Sequence, residues 1–196
     1  SRVRAMSPKC LLCPRNCGVD RIVGEHGFCR CGALPVVARA AAHFGEEPCI
    51  SGGCGSGTVF FSGCNMQCAF CQNREISFEG CGRELSVARL AEIFAELEGS
   101  GVHNPNLVTP THFTDKILDA LKIAKPKIPV VWNSSAYERV ETLKTLEGYV
   151  QVYMPDLKYT SADAAFRYSG AHDYPSIAKS AIMEMFRQTG SFVMDS

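Results

Sequence analysis

The sequence predicts an α/β fold: a partial, open βα barrel with parallel strands, preceded by a Cys-rich N-terminal segment that metal ligation supports. Three observations lead there. From residue 58 onward, short apolar runs alternate with amphipathic helical patterns, the order that builds a parallel sheet with right-handed crossovers. All eleven cysteines fall within the first 81 of 196 residues. A closed barrel of eight βα units takes about 250 residues, and the units here are too few to close one. The chain therefore divides into residues 1–57, the Cys-rich segment packed on the core, and residues 58–196, a barrel incomplete at its C-terminal side.

Residues 1–57 are rich in Cys, Gly and Pro with little periodicity, and Val36–Ala42 reads equally as a strand or a helical turn. Such a segment buries too little apolar area to fold alone, which makes metal ligation its expected support. Thr58–Ser62 is a short apolar run ended by Gly63, a buried strand. Ser86–Glu98 carries Val87, Leu90, Ile93, Phe94 and Leu97 at helical spacing, with Ser86 as N-cap and Gly99 and Gly101 as stops. Asn106–Thr109 is the second strand, and Thr114–Ala124 is a helix halted before Pro126. Pro129–Trp132 is a strand, Tyr137–Leu146 a helix and Tyr149–Met154 the fourth strand. Helices over Ser161–Tyr168 and Tyr174–Thr189 follow, with a fifth strand beginning after Gly190.

Lys+Arg and Asp+Glu both number 20, so no basic surplus points to a nucleic-acid partner. No run approaches the roughly 18 apolar residues of a membrane span, and Ser1–Met6 lacks an apolar leader, which gives a cytoplasmic expectation. Clustered cysteines at short spacing, odd in number and without an export signal, read as metal or cluster ligands rather than a disulfide framework.

The chemistry concentrates in Phe60-Phe-Ser-Gly-Cys64-Asn-Met-Gln-Cys68-Ala-Phe-Cys71. Clusters usually take four protein ligands. Three thiols at C-x3-C-x2-C spacing therefore suggest a cluster with one open iron, the vacancy that catalysis needs. The position, just after a strand of a parallel βα fold, is where such folds carry function. The bland alternative is a structural site completed by Cys54 or Cys81.

This motif resembles that of the radical S-adenosylmethionine (SAM) superfamily. Ser56–Cys64, Cys71–Ser77 and Met154-Pro-Asp-Leu-Lys-Tyr159 further resemble the pyruvate formate-lyase activating enzyme group, in its uncharacterised activating-enzyme-like branch. The resemblance implies a [4Fe–4S] cluster on Cys64, Cys68 and Cys71, with SAM chelating the fourth iron and yielding a 5′-deoxyadenosyl radical. It places Phe70 against the adenine and assigns SAM contacts to Asp156 and Lys158. It also makes Met154 and Asp156 candidates for a monovalent-cation site. Where the group carries Gly-Gly-Glu-Pro to meet the SAM amino group, this chain reads Val108-Thr109-Pro110-Thr111-His112. Thr109 and Thr111 could accept from that group. His112 is either a proton donor or substrate contact, or a packing residue. Asn133-Ser134-Ser135 replaces the group's usual aspartate and threonine, which puts the cation in doubt. The implied partners are an electron donor such as flavodoxin or ferredoxin and a glycyl-radical enzyme.

Cys10-x2-Cys13-x3-Cys17 with Cys29-x-Cys31 forms a second constellation. Cys29 is chosen over Cys31 as fourth ligand because Gly27-Phe28 allows a tight turn. Thiolates suit both zinc and an auxiliary Fe–S cluster, and the sequence does not separate them. Cys49, Cys54 and Cys81 are read as core or unliganded thiols. Two rivals stand beside glycyl-radical activation: radical chemistry on a small molecule or peptide, and a non-catalytic Fe–S or zinc module.

Overall fold

The computed structural model describes residues 9–191. The readings of Ser1–Met6 and of a strand forming beyond residue 191 lie outside the described residues. After a short 3-10 turn at Arg21–Val23, the described elements run β1 (Val36–His43), α1 (Pro48–Ser51), β2 (Ser56–Phe61), α2 (Arg74–Glu79), β3 (Arg83–Glu84) and α3 (Val87–Gly99). They continue with β4 (Pro105–Val108), a 3-10 turn at Thr111–Phe113, α4 (Thr114–Ala124), β5 (Val131–Ser134), α5 (Val140–Lys144), β6 (Val152–Pro155), α6 (Ala162–Ser169) and α7 (Tyr174–Thr189).

Six strands form one open sheet in the order β3-β1-β2-β4-β5-β6. The four predicted strands, β2, β4, β5 and β6, are mutually parallel. The all-parallel expectation fails at the other edge, where β1 pairs antiparallel with β2 and β3 antiparallel with β1. The architecture is thus a mixed α/β sheet with mostly parallel strands, consistent with a partial barrel. Val36–Ala42 resolves as a strand because His43 to Val37 find partners along β2 from Ser56 to Phe61. The Cys-rich segment is therefore tied to the core by a sheet ladder.

Register sorts the sheet into two faces, because side chains alternate with period two. Val59, Leu107, Trp132 and Tyr153 form one row across β2, β4, β5 and β6. Val59, Leu107 and Trp132 are fully buried under Leu90, Phe94 and Leu97 of α3, Ile117 and Leu121 of α4, and Leu143. The adjacent row, Phe60, Val108, Asn133 and Met154, projects from the opposite face. A smaller cluster, including Met66, Cys68, Tyr137, Tyr159, Ala165, Tyr174 and Ala178, joins α6 and α7 to the loop after β2.

Ser86 caps α3 by accepting the Arg89 N–H at 3.1 Å. Lys125, left-handed at φ 47°, ends α4 just before Pro126. The predicted helix over Tyr137–Leu146 begins later, at Val140, because Ala136 turns left-handed at φ 58° and the Glu138 N–H bonds the Ala136 carbonyl. No helix among the described residues is long and apolar enough to cross a membrane.

Leu107→Ala, at the centre of the buried row, should lower unfolding stability by about 2–5 kcal/mol. Ser86→Ala should cost about 1 kcal/mol through the lost cap. Urea unfolding followed by circular dichroism reads both, with the larger shift expected at residue 107.

Candidate functional site

Parallel strands deliver their C-terminal ends to one side of the sheet, and the loops there enclose a cavity of about 660 Å³. Its wall includes Cys64, Cys68, Phe70 and Cys71 after β2, Thr109 and Thr111 after β4, Ser134 and Ser135 at the end of β5, and Asp156 and Lys158 after β6. Phe60, Val108 and Asn133 of the projecting row form its floor.

The loop from Ser62 to Cys71 is fastened along its length. Gly63 N–H bonds the Ile76 carbonyl at 2.9 Å, and Ala69 N–H bonds the Tyr168 carbonyl at 2.8 Å. Asn65 donates to the Tyr137 carbonyl at 2.7 Å while its own carbonyl accepts from Arg15 at 2.7 Å. Gln67, left-handed at φ 49°, donates to the Phe28 carbonyl at 2.7 Å. Cys71 N–H closes a turn onto the Cys68 carbonyl at 3.0 Å. Gly63 is required at its position: its φ is +78°, and a Cβ there would collide with the Cys31 sulfur and the Cys29 carbonyl.

All three motif thiols are free. Met66 N–H donates to Cys64 Sγ at 3.3 Å and the Ser77 hydroxyl to Cys71 Sγ at 3.3 Å. Burial pushes the Cys64 thiol up to about 11, so its thiolate needs a positive partner. Among the described residues no three Cys, His, Asp or Glu side chains converge on a point as a single ion requires. Thiolates of an iron–sulfur cluster bind separate irons and need no such convergence, so three free thiols on one loop at the cavity wall fit that donor set.

Phe70 is exposed at the cavity edge, flanked edge-on by the rings of Tyr159 and Tyr168. Lys158 Nζ pairs with Asp156 Oδ2 at 2.8 Å in a largely solvent-exposed pair worth little to stability. Its backbone is held more firmly. The buried Tyr174 hydroxyl accepts the Lys158 N–H at 2.8 Å and lies 2.7 Å from the Ser135 carbonyl and 2.9 Å from the Asp156 carbonyl. One side chain from the start of α7 thereby fixes the ends of β5 and β6 together. Thr109 sits at φ 57°, a strained conformation for a β-branched residue, with its N–H on the Asn133 carbonyl at 2.9 Å.

His112 is absent from the cavity wall. Its ring is fully buried against Phe113, and Nε2 lies 2.8 Å from the Ser62 carbonyl. It packs the site from behind, and burial, reinforced by nearby Arg21, depresses its pKa to about 4.

In the N-terminal constellation, Cys10, Cys17 and Cys29 are all close enough to Cys13 to raise its pKa, which burial already drives up to about 12. Cys17 Sγ accepts the Phe28 N–H at 3.3 Å, and Cys29 Sγ accepts from the Arg21 guanidinium at 3.0 Å. The Cys31 thiol beside Cys29, together with that guanidinium, holds Cys29 below the usual thiol value. Cys31 turns instead to the Ser62 and Cys29 carbonyls, both at 3.3 Å. Cys49, Cys54 and Cys81 are exposed.

Sequence reading missed Arg15, Tyr174 and Glu138. Arg15 lies between two candidate ligands, and its guanidinium reaches the Asn65, Ser169 and Gly170 carbonyls while stacking 3.8 Å over Phe28. Glu138 is buried behind Thr111. Only the proximity of Arg15 to Cys13 and Cys17 offered any signal in the sequence.

The depressed value of His112 has a pH consequence. The unfolded chain protonates this residue near pH 6.5 and the folded chain only near 4, so the stability present above 6.5 is lost as pH falls toward 4. Between about pH 7 and about pH 5 this contributes about 2 kcal/mol of destabilisation, which His112→Gln should remove. Urea unfolding of the two proteins at both pH values reads the difference.

Two comparisons bear on this site. Residues 58–182 match the Radical SAM superfamily. An uncharacterized protein of Methanocaldococcus jannaschii is 34% identical over 179 residues, covering 87% of this chain and 51% of that protein. The chain thus spans about half the length of the curated relative it matches. With the C-x3-C-x2-C loop at the end of β2 and the cavity at the strand ends, the conclusion is that this chain belongs to the radical SAM superfamily.

Proposed function

We propose that the chain is a radical SAM enzyme whose Cys64, Cys68 and Cys71 hold a [4Fe–4S] cluster and whose strand-end cavity takes SAM. The observation that carries this reading is that the three free thiols and the Asp156–Lys158 turn open onto one 660 Å³ cavity. Bound there, the cluster would supply one electron to the sulfonium, releasing methionine and a 5′-deoxyadenosyl radical. The protein's own work is positional. Lys158 offers a point charge to a carboxylate, Tyr174 fixes its backbone, and Phe70 presents an exposed ring face for stacking. The bonds at Gly63, Asn65, Gln67 and Ala69 keep the thiol loop from rearranging when a cluster is lost or gained.

The substrate assigned is a glycine of a glycyl-radical enzyme, with flavodoxin or ferredoxin as electron donor. This rests on the resemblance of Ser56–Cys64, Cys71–Ser77 and Met154–Tyr159 to the activating enzymes. The departure at Val108-Thr109-Pro110-Thr111 favours a second reading, hydrogen abstraction from a small molecule or peptide.

Cys10, Cys13, Cys17 and Cys29 are assigned to a second thiolate site that braces the N-terminal segment against the cluster loop. What supports this is the spacing Cys10-x2-Cys13-x3-Cys17 with Cys29 and the N–H donor already on Cys17, although these thiols do not converge on one point as a single bound ion would require.

After anaerobic reconstitution and reduction, the protein should give a [4Fe–4S]⁺ EPR signal that changes on adding SAM and vanishes in Cys68→Ala. Zinc alone, with no SAM-sensitive signal, would refute the enzyme reading. Lys158→Ala should keep the signal and weaken SAM binding about tenfold. Cys13→Ser should lose one equivalent of zinc, or the iron of one cluster, without losing the SAM-sensitive signal. A glycyl-radical signal on mixing with a partner supports activation, whereas 5′-deoxyadenosine formed without a protein radical supports the small-molecule reading.

A further inference from the structure

Each thiol of the C-x3-C-x2-C loop has a hydrogen-bond partner at its sulfur, and the three partners differ in kind. Cys64 Sγ accepts from the Met66 N–H at 3.3 Å, a contact that the loop supplies from its own backbone. The other two partners are side chains from outside the loop. The Ser77 hydroxyl of α2 lies 3.3 Å from Cys71 Sγ. The Tyr159 hydroxyl, after β6, bonds the Cys68 thiol and lies 2.6 Å from Ser169 Oγ.

A serine inside a helix commonly turns its hydroxyl back onto the carbonyl four residues earlier. Here that would be Asn73, and the hydroxyl turns to Cys71 instead. Ser77, Cys68 and Tyr159 are all buried, so water competes little for these contacts. A sulfur that holds iron is a thiolate and accepts only, which makes Ser77 and Tyr159 the donors and leaves Ser169 to donate to the Tyr159 oxygen. A donor at a ligand sulfur favours the form that carries more negative charge, and hydrogen bonds to sulfur are among the features that set a cluster's reduction potential. Entry of one electron adds such a charge to a loop where burial already disfavours it, as the raised Cys64 thiol shows.

We propose that Ser77 and Tyr159 tune the cluster, donating their hydroxyl protons to Cys71 and Cys68 and so raising the potential at which one electron enters. This inference rests on the reading proposed above, in which those thiols hold a [4Fe–4S] cluster. Both are positioning residues that act through a ligand sulfur, and neither gives up its proton or takes the electron. Ease of reduction is then not a property of the thiol loop alone. It depends on α2 and on the segment after β6 closing against that loop.

The test is an EPR-monitored redox titration of the anaerobically reconstituted protein, without SAM. Tyr159→Phe keeps the ring that packs on Phe70 and Tyr174 and loses only the hydroxyl. Ser77→Ala removes the other donor. Each should keep the iron and sulfide content and lower the midpoint potential, raising the ratio of oxidised to reduced cluster at a fixed potential about threefold or more. Ser77→Thr, which retains a hydroxyl, should return to the wild-type potential. Tyr159→Phe decides the matter if Ser77→Ala fails to load iron. A wild-type potential in a loaded variant would overturn the role of that residue and leave the enzyme reading intact, as would a shift in Ser77→Thr equal to that in Ser77→Ala. Failure of the wild-type protein to hold a reducible [4Fe–4S] cluster would overturn both.

Discussion

Parallel pairing of β2, β4, β5 and β6 obliges every strand to end on the same side of the sheet, and the candidate site follows from that constraint. Each crossover returns the chain to the opposite side before the next strand starts, so four separate loops meet at one rim. The register then decides what the rim stands on. Val59, Leu107 and Trp132 face the helices, which commits Phe60, Val108 and Asn133 to the cavity. A slip of one residue in β5 would exchange its two faces and turn Asn133 toward the helices in place of Trp132. The apolar core and the site are therefore specified together, by the same alternation.

The N-terminal segment contributes to this rim from outside the βα repeats. Its backbone comes so close at Gly63 that no side chain is tolerated there. Arg15 spans from the segment to Asn65 in the thiol loop and to the end of α6, and Gln67 reaches back to Phe28. Arg21 joins Cys29 to the His112 carbonyl, behind the end of β4. The segment thus grips the loop that carries Cys64, Cys68 and Cys71 and the strand end that carries Thr111. Its β1 strand supplies the backbone ladder, and a thiolate-bound metal would stiffen the part that has no ladder.

Legibility in the sequence followed the range of the interactions involved. The helix over Thr114–Ala124 was readable to the residue, because periodicity and the following Pro126 are local signals. The strand after Gly101 was readable as a short apolar run, although its ends moved by a residue. Val36–Ala42 was undecidable, because its strand state depends on β2 pairing with it from some twenty residues away. The two-residue β3 and the short α1 and α2 carry too few residues for any period to show. Among the site residues, the cysteine spacing announced itself, and Asp156 and Lys158 became visible through it. Tyr174 and Glu138 could not be foreseen. Each acts across the fold, Tyr174 on backbone atoms of Ser135, Asp156 and Lys158, and Glu138 on Thr111, which lies 27 positions earlier in the chain.

The end of β4 reads Val108-Thr109-Pro110-Thr111-His112, and its local geometry is unusual. Thr109 is held left-handed by the Asn133 carbonyl, a conformation that glycine would adopt freely and threonine adopts only under constraint. The strain is localised between the sheet on one side and Pro110 on the other, and it starts the 3-10 turn that brings Thr111 to the cavity. The sequence Thr-Pro-Thr restricts the backbone there and sets a side-chain hydroxyl at the cavity wall. Glu138, after the next strand, accepts from the Thr111 hydroxyl at 2.7 Å and from the indole N–H of Trp132 in the buried row at 3.0 Å. The hydroxyl at one strand end is thus bonded directly to a buried carboxylate after the adjacent strand, and a core residue that belongs to neither loop shares that carboxylate oxygen.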